Sequence, residues 1–116
     1  MDRQTIDKVI EILDDRNGKD TLCIIQFKGC NAYASTEEYL TVDGHPHRVR
    51  AIISYDTIVG FVDIDHKTLY EYGKYTSTTS CQITKMHCTW FPGYERVLVK
   101  GVDTSKRFTK KSYGSR

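Results

Sequence analysis

Apolar residues recur at Ile6, Val9, Ile10 and Leu13, the three- and four-residue spacing that lays one stripe along a helix. The pair Asn17-Gly18 predicts its end. Thr21 to Lys28 is apolar on both alternations and predicts a central strand. After Gly29-Cys30-Asn31 the pattern is irregular until Tyr39–Val42, a short strand followed by the turn Asp43-Gly44 and a strand from Arg48 to Ser54. Thr57 to Ile64 predicts a further strand, joined to Thr68–Tyr72 by the polar loop Asp65-His66-Lys67. Ile83, Met86, His87 and Trp90 then share one face of a helix that begins at Ser80 and stops at Phe91-Pro92-Gly93, and Glu95 to Lys100 alternates as a last strand.

This order, α-β-β-β-β-β-α-β with short connections, predicts an α+β fold. The sheet is expected to be curved, mainly antiparallel and of about six strands, with two helices packed on one face. At 116 residues the chain has room for one core. Residues 1–105 are expected to form a single globular domain and 106–116 a flexible basic tail. No apolar run reaches membrane-spanning length and no secretory leader pattern opens the chain, so a cytoplasmic protein without a membrane is expected.

The richest chemistry lies between the last tyrosine-bearing strand and the second helix. Tyr70 and Tyr72 alternate with Glu71, as on a half-exposed strand, and lead through Lys74 and Tyr75 into five hydroxyl residues, Thr76, Ser77, Thr78, Thr79 and Ser80. Thr79 and Gln82 have the spacing of a capping box. A helix start of this kind offers free backbone amides and the positive end of the dipole, with Lys74 and Lys85 close in sequence, and so predicts a corner that holds an anion or a partner.

The formal charge of +2 is unevenly spread. Lys106, Arg107, Lys110, Lys111 and Arg116 carry +5 with no acid after Asp103, which leaves −3 on residues 1–105. Phe108 and Tyr113 interleave with the tail's cations, a composition that can neutralise phosphates and stack on bases, with Arg96 as a further cation on the body.

Other constellations are weaker. Cys23 and Cys30 repeat the spacing of Cys81 and Cys88, but zinc sites favour pairs two to four residues apart, so the thiols are expected to be reduced and without metal. Asp63 and Asp65 at a strand end, beside His66, have the spacing for a divalent ion but lack a third carboxylate. His87 and Cys88 point about 100° apart on a helix, which does not suit a base activating a thiolate. His45 and His47 straddle a turn. There is no Gly-rich phosphate loop, G-x-S-x-G or H-E-x-x-H motif. No enzyme, cofactor or metal is expected.

The run from Ala51-Ile52-Ile53-Ser54-Tyr55 through Thr57-Ile58-Val59-Gly60-Phe61-Val62-Asp63 to Gly73-Lys74-Tyr75-Thr76-Ser77-Thr78-Thr79-Ser80 and Gln82-Ile83 resembles small uncharacterised proteins of phages and mobile elements of Gram-positive bacteria. In those a Tyr-Ser-x-Thr-Thr-Ser corner precedes a helix, and the resemblance spans residues 48–99. Thr76 stands where serine is common and Cys81 where a basic residue is common. The resemblance implies an accessory role in the bacterial host cell: a non-enzymatic inhibitor, of the anti-CRISPR type, that binds a host protein or ribonucleoprotein nuclease complex. Eight tyrosines and an acidic body suit such a role, through the partner-binding residues Tyr70, Tyr72, Lys74, Tyr75, Thr76, Ser77, Thr78, Thr79, Ser80 and Lys85. The alternative is a small nucleic-acid-binding protein using Arg96, Lys106, Arg107, Phe108, Lys110, Lys111 and Tyr113.

The tail has no apolar periodicity with which to offset its ordering entropy. Truncation after Ser105 is therefore expected to leave the far-ultraviolet circular dichroism of the body intact. Loss of that spectrum would make the tail part of the domain.

Overall fold

The computed structural model describes residues 1–16, 24–27, 29–55, 57–73 and 77–102. The chain opens with helix α1 (Arg3–Arg16), followed by strands β1 (Ile24–Gln26), β2 (Ala32–Ser35), β3 (Glu38–Val42), β4 (His45–Ser54), β5 (Thr57–Asp63) and β6 (Thr68–Glu71), helix α2 (Ser77–Thr89) and strand β7 (Glu95–Leu98). This is an α+β fold with an open, mostly antiparallel sheet in the order β1-β2-β4-β5-β6-β7. No helix among the described residues is long and apolar enough to cross a membrane.

β4 organises the sheet. Its second half pairs with β2 (Ala34 opposite Ile52) and its first half with β3 (Glu38 opposite Val49), so β2 and β3 follow one another along one edge of β4, and β5 covers the other edge. The β3–β4 hairpin turns on Asp43-Gly44, both at positive φ (51° and 80°), as a two-residue hairpin turn requires.

Ile58 and Phe61, three residues apart on β5, would face opposite sides of a regular strand. A register shift between Ile52 and Ile53 of β4 instead places one extra residue in β5, and both side chains enter the core beneath α1. Gly60 sits inside this irregularity, where a Cβ would lie 2.4 Å from the Tyr70 carbonyl oxygen.

The two helices cover opposite faces, which corrects the expectation that both lie on one. Ile6, Val9 and Leu13 of α1 pack with Tyr33, Val49, Ala51, Ile53 and Phe61, whereas Ile83 and Met86 of α2 pack with Ala32, Ala34, Ile52, Val62 and Leu69. The consecutive apolar residues Ala51-Ile52-Ile53 supply both cores, because neighbours in a strand point to opposite sides.

Two further expectations are revised, and one strand pair departs from the antiparallel pattern of the rest. The segment read as a central strand contributes β1, a three-residue edge strand paired only with β2; residues 21–23 and 28 lie outside the described residues. The stretch read as irregular contains β2, buried throughout, which makes seven strands among the described residues. β7 runs parallel to β6, because the intervening helix α2 carries the chain back to the starting end of the sheet.

Gly60→Ala is expected to cost about 1–3 kcal/mol, since a methyl group at that position meets fixed backbone. Urea denaturation checks this, and a midpoint unchanged from the parent would mean that β5 and β6 separate freely at this point.

Candidate binding surface

The hydroxyl corner divides into two parts. α2 begins at Ser77, not Ser80, so Thr79 lies in the first helical turn and faces inward. Its Oγ1 is 2.9 Å from Ser54 Oγ, and Ser54 Oγ donates to Gln82 Oε1 at 2.7 Å. All three residues are buried. The pair read as a capping box thus fastens α2 to the end of β4. Ser77 and Thr78 are exposed, Ser80 is half-buried and Lys85 is exposed, while Lys74, Tyr75 and Thr76 lie outside the described residues.

Tyr70 and Tyr72, expected on a half-exposed strand, are instead core residues at 5% and 3% exposure. Tyr70 stacks on Phe61 with ring centroids 5.0 Å apart. Burial pushes both phenols upward in pKa, and the enclosed Tyr72 hydroxyl has no hydrogen-bond partner among the described residues. The bulge and α1 cover the face that Tyr70 and Tyr72 were expected to present.

Of the residues read as nucleic-acid contacts, Arg96 alone lies among the described residues. Arg96 is held by Glu71 at 2.6 Å and donates to Thr84 Oγ1 at 2.9 Å, which commits it within the protein. Lys106, Arg107, Phe108, Lys110, Lys111 and Tyr113 lie outside the described residues.

The acids at the end of β5 separate. The Asp63 carboxylate is fully buried and bound through Oδ2 to His66 Nδ1 at 2.8 Å, with Oδ1 enclosed and unpartnered. Asp65 instead meets Arg48 at 2.9 Å, and that contact lowers its carboxyl pKa. His87 Nε2 lies at the Tyr94 carbonyl, Cys81 and Cys88 are exposed, and no cluster of three His, Cys, Asp or Glu fit for a metal occurs among the described residues.

Two surfaces escaped the reading of the chain. Along α1, Asp7, Glu11 and Asp14 line a groove of about 310 Å³ together with Arg3, Ile10, Gly101 and Val102, which concentrates acidity on that side. On the α2 side, residues far apart in sequence form an aromatic and cationic cluster. Phe27 meets Trp90 edge to face at 5.1 Å, Trp90 meets Phe91 at 6.4 Å, and Phe91 meets Tyr94 at 5.4 Å. The Arg50 guanidinium lies 5.9 Å from the Trp90 ring centre and 5.3 Å from that of Phe91, while its Nε donates to the Ser35 carbonyl at 2.6 Å. Phe27, Arg50, Trp90 and Tyr94 are each half-buried, so they reach solvent from fixed positions. Only the position of Trp90 on a helix face signalled this cluster in the sequence, because β4 alone brings Arg50 to it.

The chain matches no protein-family model, no curated protein and no solved structure.

Ser54→Ala is expected to cost about 1–3 kcal/mol, since Thr79 and Gln82 lose a buried hydrogen-bond partner. Thermal unfolding followed by circular dichroism reads this, and an unshifted transition would show that the contact does not hold α2 to the sheet.

Proposed function

We propose that this protein is a non-enzymatic binding protein that acts in the cytoplasm of a bacterial host, where it occupies a surface of a nuclease complex and inhibits it. The observation that carries this reading is the Phe27, Arg50, Trp90 and Tyr94 surface. Tryptophan, tyrosine and arginine are the residue types that dominate binding energy in protein interfaces, and such anchors work best when half-buried on a rigid support. Here the support is firm: Arg50 is on the strand at the centre of the sheet, and Trp90 and Phe91 close the C-terminal end of α2. The resemblance to mobile-element proteins supports an inhibitory role, and the acidic groove on α1 gives the opposite side a charge that repels nucleic acid.

The test is capture from a nuclease-treated bacterial lysate, followed by a cleavage assay on whatever nuclease complex is retained. The parent is expected to hold the complex and to slow cleavage, and Trp90→Ala with Tyr94→Ala is expected to weaken capture by at least about tenfold, the effect of losing a central anchor. Capture that disappears with nuclease treatment, or a complex that cleaves at full rate when held, would overturn the proposal in favour of nucleic-acid binding.

A further inference from the structure

We infer that Arg50 forms a receptor for a single carboxylate, an aspartate or glutamate side chain that a partner protein presents beside apolar surface. This inference rests on the protein-binding reading above and names the chemistry of its central contact.

The geometry of Arg50 supports a fork. Its Nε is already used by the Ser35 carbonyl, which fixes the guanidinium plane, and Trp90 and Phe91 flank its carbon. Nη1 and Nη2 have no hydrogen-bond partner among the described residues, and neither is enclosed. A guanidinium pinned at one nitrogen and open at its two terminal ones matches a carboxylate bidentately. Its surroundings also leave the cation undercompensated, since burial among the rings works against the charge and lowers its pKa. An anion docking on the open edge would offset, by charge and hydrogen bonding, the hydration that the aromatic wall removes.

Charge selects among anions. Glu37 lies close enough to act on Arg50 electrostatically, and the neighbouring Arg48 is committed to Asp65 at 2.9 Å and Glu37 at 3.7 Å. Arg48 and Arg50 against Asp65 and Glu37 leave no excess positive charge, so the open fork suits a group with a single negative charge. A doubly charged phosphate ester would need a second cation, and a nucleic-acid strand would also meet the −3 carried by residues 1–105. The rings of Phe27, Trp90 and Tyr94 add apolar area next to the fork, so an acidic residue adjoining an aromatic or aliphatic one fits best.

Trp90 is the only tryptophan, so its fluorescence reports on this site alone. The probe is a short peptide alternating glutamate with phenylalanine, titrated into the full-length protein beside its glutamine counterpart, inorganic phosphate and oligodeoxythymidylate. The glutamate peptide is expected to give a saturable change, and the glutamine peptide, phosphate and the oligonucleotide to bind at least about tenfold more weakly. Arg50→Gln is expected to weaken the glutamate peptide at least about tenfold. Arg50→Lys, which keeps the charge and stem but not the fork, is expected to do the same and carries the test if the glutamine variant fails to fold. Equal binding of the two peptides, tighter binding of the oligonucleotide, absence of saturation, or a lysine variant that binds as the parent does would each overturn the inference. In the capture assay, loss with Trp90→Ala but not with Arg50→Lys would remove the carboxylate receptor and leave the binding protein standing. Retention by both variants would remove the surface altogether.

Discussion

The structure depends on β4 being buried from both sides. With α1 above it and α2 below, the second half of β4 is buried from Ala51 to Ser54, so each of those residues must be apolar, small or provided with a partner. Ala51, Ile52 and Ile53 meet this demand by hydrophobicity alone. The bulge in β5 lets Ile58 join Phe61 in the α1 core, and the side-chain-free Gly60 lets the β6 backbone approach closely at that point.

The polar groups on such a sheet show how the constraint is met. Ser54 satisfies itself on Thr79 and Gln82 and in doing so fastens α2 in place. Ser35 accepts from the Ala51 amide through Oγ and donates to the Thr36 carbonyl at the break between β2 and β3. Asp63 reaches one partner, His66, and leaves its other oxygen enclosed. Arg50 is the exception in kind: one nitrogen is tied to the sheet, the guanidinium lies against the Trp90 and Phe91 rings, and the remaining nitrogens reach solvent.

Much of the architecture was legible along the chain. The stripe of α1, the Asp43-Gly44 hairpin, the long strands β4 and β5 and the existence of α2 all follow from periodicity and turn chemistry. β2 was hidden because Ala-Tyr-Ala-Ser has little bulk to announce a strand, and its alanines are small where α2 crosses. The tyrosines misled for a related reason: alternation with Glu71 looks the same whether the aromatic side meets water or a second layer. Thr79 misled because hydroxyls favour helix starts, and a start three residues earlier turns a cap into a buried contact.

The order of the elements, their periods and the tight turn are local properties, set by residues within a few positions of each other, and the sequence alone determined them. Which face each helix covers, the parallel entry of β7 and the meeting of Phe27, Arg50, Trp90 and Tyr94 are long-range outcomes. They depend on which apolar faces find each other when the chain collapses, and a strand that is apolar on both sides, as β4 is, does not by itself say which helix goes where. The candidate site belongs to that second class, since its residues become neighbours only after the sheet has formed and both helices have packed onto it.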